Sequence, residues 1–207
     1  MTAVTIGIGT RQDMRQAAEE LAGAPLIKVK LDDREITERI RAVRRGAPEA
    51  RLIVDPNEAW DLDILTGVAP ELAELGVEMI EQPLPAHADD DLAVFDSPIS
   101  LCADEGCHTC SDLPDLNSKY GMINIKLDKT GGLTEAIDLA RAAKAAGFKI
   151  MVGCMVGTSL AMAPAALLGP FAEFVDLDGP LLLQQDRPNG LYFENGRVYP
   201  PGPGLWG

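Results

Sequence analysis

The sequence predicts an α/β fold of the (β/α)8-type barrel class. Three observations predict it. Eight short apolar runs recur about 20 to 27 residues apart. Most of the segments between them carry apolar residues at three- and four-residue spacing, and strands alternating with helices imply parallel strands. No G-x-G-x-x-G turn follows the first run, which weakens the rival, a doubly wound open sheet. The 207 residues place the chain near the lower end for such a barrel.

In chain order the runs are "VTIGIG" (4–9), "LIKVKL" (26–31), "RLIVD" (51–55), "EMIEQP" (78–83), "ISLCAD" (99–104), "MINIKL" (122–127), "KIMVGC" (149–154) and "FVDLDG" (174–179). After the first, "TRQDMRQAAEELAG" reads as a helix closed by glycine, and "LTEAIDLARAAKAAG" does the same between the sixth and seventh. "KTGGLTEA" (129–136) reads as a loop leading into that helix, and the tail "PPGPGLWG" (200–207) as an irregular surface segment. One domain over 1–207 is expected, with no internal linker.

The hydrophobic fraction of 46% is enough for a sizeable core, and the formal net charge of -14 excludes a basic nucleic-acid-binding surface. No apolar run approaches the roughly 20 residues of a membrane helix, and the N-terminus does not read as a signal peptide. A cytoplasmic protein, binding neither nucleic acid nor membrane, is therefore expected. Of the four cysteines, Cys107 and Cys110 form a single CxxC without a second pair, so reduced thiols are expected rather than a zinc or redox site.

The polar residues of the runs fall at their C-terminal ends, where a barrel of this kind gathers its catalytic groups. Asp55 ends the third run, Glu81 belongs to the fourth and Asp104 ends the fifth. A lone Asp in such a place commonly caps a helix, but three carboxylates from consecutive strands converge on one rim. Oxygen-only ligands favour a hard cation, Mg²⁺ above all. Side chains alternate across a strand, so Lys28 and Lys30 share one face of the second run while Ile27, Val29 and Leu31 share the other. Asn124 and Lys126 share a face of the sixth, so Lys30 and Lys126 flank one substrate from opposite sides of an eight-stranded ring. Asp176 and Asp178 form a second acidic site on the eighth. A lysine acts as a base only when neutral, well below its usual value of about 10.4. The adjacent Lys28, partial burial and a nearby divalent cation are expected to press Lys30 in that direction. A lone inward lysine such as Lys28 can also be the plain partner of a carboxylate. His87 and His108 are expected in solvated loops.

The segments "KVK" (28–30), "DPN" (55–57), "EQP" (81–83), "ADE" (103–105), "NIKLDKTGG" (124–132) and "MVGCM" (151–155) together resemble the enolase superfamily, muconate-lactonizing subgroup. "VDLDGP" (175–180) resembles the dipeptide epimerases within it. The resemblance covers essentially the whole chain. It implies a modified (β/α)7β barrel with Asp55, Glu81 and Asp104 as Mg²⁺ ligands and Lys30 and Lys126 as acid/bases. It also implies that Lys28 helps neutralise a developing enolate, and that Asp176 and Asp178 hold the substrate's α-ammonium. The implied reaction is epimerisation of an Ala-Glu type dipeptide by two-base 1,1-proton transfer through an enediolate. Alternatives are another reaction of the superfamily (N-acyl amino acid racemisation, cycloisomerisation, o-succinylbenzoate synthesis) or a non-catalytic barrel module. Pro56 and Gly106 depart from the family's usual residues without removing a ligand. The family's α+β capping domain has no counterpart before the first strand. The chain is therefore expected to be the barrel alone, with weak or no turnover, and either homo-oligomeric or completed by a separate cap.

Overall fold

A computed structural model describes residues 1–206. All eight runs are strands of one parallel sheet with strand order β1 to β8. They are β1 (Val4–Ile6), β2 (Leu26–Lys30), β3 (Arg51–Asp55), β4 (Val77–Glu81), β5 (Ser100–Ala103), β6 (Met122–Ile125), β7 (Lys149–Val152) and β8 (Phe174–Val175). The backbone N–H of Ala3 donates to Val175 O at 2.7 Å, and that of Leu177 to the Thr2 hydroxyl at 2.9 Å. Those bonds join the last strand to the first, so the sheet closes into a barrel.

The connections are α1 (Arg11–Glu20), α2 (Ile36–Gly46), α3 (Leu62–Glu74), the short α4 (Leu113–Leu116) and α5 (Leu127–Thr130), then α6 (Leu133–Ala145) and α7 (Ser159–Ala165). Both helices expected from sequence form. Thr10 caps α1 with a reciprocal Thr10–Asp13 pair. Two residues beyond α6 stands Gly147, whose φ of 91° lets the chain turn out of the helix. Between β4 and β5 a 3-10 turn, Asp90–Val94, replaces the helix. The chain after β8 forms another 3-10 turn, Gly179–Leu182, and an antiparallel pair, β9 (Phe193–Glu194) with β10 (Arg197–Val198). This is the expected (β/α)7β pattern, with one connection reduced to a 3-10 turn. No helix among the described residues is long and apolar enough to cross a membrane.

Period-two alternation divides the sheet into two apolar layers. Outward residues such as Ile27, Val29, Leu52, Val54, Ile80, Ile123, Ile125 and Val152 pack against the helices. Inside the barrel, Ala3, Leu26, Ile53, Met79, Cys102, Met122, Met151 and Phe174 form a separate buried plug, with one residue from each strand or its start. At the lower end Arg51 lies 4.8 Å above the Phe174 ring and donates to Glu78 at 2.6 and 2.9 Å. The interior is filled, so polar groups placed two residues further along each strand have only the upper mouth to face.

Candidate active site

Two residues beyond the plug, the same inward face carries Lys28, Asp55, Glu81, Asp104, Asn124, Gly153 and Asp176. Two residues beyond that stand Lys30, Lys126 and Asp178. Every residue expected from sequence thus lies on the interior face at the C-terminal ends of the strands. Thr5, Lys28, Lys30, Asp104, Lys126, Asp176 and Asp178 line one cavity of about 400 Å³, and Asp55 and Glu81 are fully buried.

The lysines and carboxylates are interleaved. The Lys28 ammonium lies 2.9 Å from Asp55 Oδ2, 2.7 Å from Glu81 Oε2 and 3.0 Å from Asp176 Oδ2. Lys30 Nζ donates to Asp55 Oδ2 and Asn57 Oδ1, both at 2.6 Å. Lys126 Nζ donates to Asp104 Oδ2 at 2.5 Å. Asp178 Oδ2 accepts the Thr5 N–H at 2.8 Å. Burial pulls the Lys28 ammonium down, but Asp176, Glu81 and Asp55 outweigh it and hold it well above the usual lysine value. Lys126 is likewise raised: burial is outweighed by Asp104 and Glu81. The neighbours of the Lys28 ammonium are these carboxylates rather than Lys30. Lys28 is the carboxylates' counter-ion here.

The three carboxylates fit a cation by chemistry. Burial and the nearby Asp55 and Asp104 charges push the Glu81 carboxyl up to about 8. Asn124 Oδ1 and Asp176 Oδ1 are buried without a hydrogen-bond partner, and Glu81 Oε2, also buried, has the Lys28 ammonium 2.7 Å away. Crowded carboxylates with an unused lone pair are what a divalent cation stabilises. Among the described residues no three such side chains stand in metal-ligand geometry, since ammonium groups lie between them.

Two site residues, Lys129 and Gly153, are not singled out by the sequence. Lys129 donates to Asp104 Oδ1 at 2.6 Å and to the Asn124 carbonyl at 2.9 Å, linking the ends of β5 and β6. Its spacing from Lys126, three residues on through a helical turn, was the available signal. Asn124 Nδ2 donates to Glu81 Oε1 at 2.6 Å. Gly153 makes room for it, because a Cβ there would lie 2.6 Å from Asn124 Oδ1. His87 is exposed as expected, whereas His108, also exposed, lines the cavity and pairs with the Glu105 carbonyl at 3.0 Å. The cysteines are all free thiols.

The enolase C-terminal domain-like family model matches residues 12–205. The chain belongs to that family. It is 50% identical over 205 residues to an N-acetyl-D-glutamate racemase from Pseudoalteromonas sp, covering 99% of this chain and 65% of that one. It is also 50% identical over 201 residues to the L-Ala-D/L-Glu epimerase of Escherichia coli K12, covering 96% and 63%. An enolase family member from Agrobacterium tumefaciens with homology to dipeptide epimerases, solved with sodium and L-Ala-L-Glu, superposes with a TM-score of 0.94. That match has 50% identity over 100% of this chain and 63% of that one. A solved dipeptide epimerase from Methylococcus capsulatus is in complex with Mg and a dipeptide. This enolase-type barrel thus spans about 63 to 65% of the length of such relatives.

Proposed function

We propose that this barrel carries Mg²⁺-dependent epimerase chemistry on a dipeptide of the Ala-Glu type. The observation that carries it is the placement of two lysines, from strands four places apart in the ring, on the wall of one cavity beside three buried carboxylates. Asp55, Glu81 and Asp104 would hold the cation. When bound, it would take up their charge, free the lysines from them and stabilise negative charge developing on the substrate's carboxylate. Asp176 and Asp178 bind the α-ammonium and fix the dipeptide's orientation. One of Lys30 and Lys126, as the neutral amine, takes the proton from the α-carbon. The other, starting as ammonium, gives its proton to the opposite face, so the proton count is unchanged and the centre inverts. Lys28, whose ammonium also lies 3.0 Å from Asp176, keeps its proton and supplies fixed positive charge.

The equal identity to an N-acetyl-D-glutamate racemase favours a second reading on the same scaffold, racemisation of an N-acylated amino acid. Such a substrate has no ammonium, so Asp178→Asn distinguishes the two. It should weaken handling of L-Ala-L-Glu and spare N-acetylglutamate.

Calorimetric titration with Mg²⁺, then proton NMR of L-Ala-L-Glu in D₂O, tests the proposal. Mg²⁺-dependent loss of the glutamyl α-proton signal is expected. Lys30→Ala and Lys126→Ala should each stop net epimerisation, each leaving exchange on one epimer, and opposite epimers in the two variants. Exchange of both epimers in either variant would refute the two-base mechanism. Turnover by these 207 residues alone should be slow, because Met155, Val156 and Leu182 at the cavity mouth are more than half exposed and water reaches the site.

A further inference from the structure

Gln82 follows Glu81 and has no charge to offer a substrate, yet it is fully buried and its backbone is held at φ 32°, a left-handed conformation that costs a non-glycine residue energy. Its side chain makes all four hydrogen bonds open to an amide. Oε1 accepts the N–H of Asp104 at 2.9 Å and of Gly106 at 3.1 Å. Nε2 donates to the Leu84 carbonyl at 2.9 Å and to the Tyr120 hydroxyl oxygen at 2.8 Å. Its backbone carbonyl accepts the Glu58 N–H at 2.9 Å, and its own N–H donates to Cys102 O at 2.8 Å. One residue therefore ties together the segments that follow β3, β4 and β5, the three that carry Asp55, Glu81 and Asp104.

The amide is oriented from behind. The Tyr120 hydroxyl donates to Asp89 Oδ2 at 2.7 Å, and Asp89, 1% exposed, also takes the Lys119 ammonium at 2.5 Å. With its proton committed to Asp89, Tyr120 has only a lone pair for Gln82. The NH₂ end must face Tyr120, and the oxygen must face the Asp104 and Gly106 amides. Glutamate has the same shape but no proton for Tyr120 or Leu84, so the sequence requires Gln here and not Glu.

We propose that Gln82 is a positioning residue of the carboxylate site. It fixes the backbone of Asp104 against Glu81 and so sets cation affinity, and Tyr120 with Asp89 orients it. The cation part rests on the reading given under the proposed function. Outer partners of metal ligands typically change affinity by about 10- to 100-fold when removed.

The test uses Gln82→Glu, Tyr120→Phe and Met14→Ala, the last a core truncation in α1, which follows a strand bearing none of the three ligands. Two quantities are read: the Mg²⁺ dissociation constant by calorimetry, and hydrogen–deuterium exchange of the Asp104 and Gly106 amides in the cation-free chain. Gln82→Glu and Tyr120→Phe should each weaken Mg²⁺ binding about tenfold and speed exchange at those two amides. Met14→Ala should lower the melting temperature and change neither. Unchanged exchange at both amides in both variants overturns the positioning role. So does an unchanged dissociation constant in a chain that binds Mg²⁺. If the unaltered chain binds no Mg²⁺ but exchange rises in the variants, the cation reading fails and the positioning of the Asp104 segment by Gln82 stands.

Discussion

Asp178 shows how burying a single carboxylate can cost stability. Burial and the neighbouring Asp176 charge push its carboxyl up to about 6, above the ordinary 3.8. A raised carboxyl favours the fold below the unfolded value, and that advantage is lost as pH rises through about 6. At pH 7.5 the ionised group therefore costs stability. Asp178→Asn, whose amide oxygen can still accept the Thr5 N–H, should stabilise the chain there by up to about 3 kcal/mol. The gain should shrink to nothing as pH falls from 6 to 4. Urea unfolding at both ends of that range checks it, and a gain of equal size at pH 4 would remove the electrostatic account. At this scale the sequence was informative about which side chains face inward, because alternation is a local property of each strand. It could not show that Lys28 would be wrapped by Asp55, Glu81 and Asp176, which come from three other strands.

The elements are joined by side chains that no periodicity reveals. Arg44, in the last turn of α2, donates to five carbonyls: Leu75 at 2.9 Å and Gly76 at 3.1 Å beyond α3, and Ala47, Pro48 and Ala50 at 3.4, 3.2 and 2.6 Å in the α2–β3 loop. A lysine keeps the charge but not the planar fork. Arg44→Lys should cost about 2 kcal/mol in chemical denaturation, and a loss near zero would show that water serves those carbonyls as well. The 3-10 turn Asp90–Val94 was equally hidden. "DDLAVF" is too short to show a helical period, and what fixes the turn is remote: Asp89 is anchored by Lys119 and Tyr120, 30 and 31 residues away. By contrast α1 and α6 were legible, since each has apolar residues at three- and four-residue spacing and a glycine shortly beyond its end.

Closure of the barrel is a property of the whole molecule. Thr2 is fully buried and its hydroxyl accepts the N–H of Leu177, 175 residues away. Thr2→Val keeps the shape and strands that N–H, so it should cost about 1–3 kcal/mol. An unchanged unfolding midpoint would mean the seam is held by backbone pairing alone. Ile8, Met155, Val156, Leu160 and Leu182 are each at least 40% exposed, and Met155, Val156 and Leu182 border the cavity mouth. An apolar rim of this kind promotes association. Light scattering after gel filtration should show apparent mass rising with concentration, and Val156→Asp with Leu182→Asp should suppress the rise.

The sequence by itself determined the eight strands, their inward faces, the two amphipathic helices and the carboxylates and lysines that end the strands. Each depends on neighbours within a few residues and leaves a period or a motif. The tertiary structure decided which charges neutralise which, the exclusion of Asp55 and Glu81 from the cavity wall, and the use of Gln82 as the tie among three segments. Those outcomes depend on distances between residues far apart in the chain, set by ring closure and burial, and one strand's pattern carries no record of them.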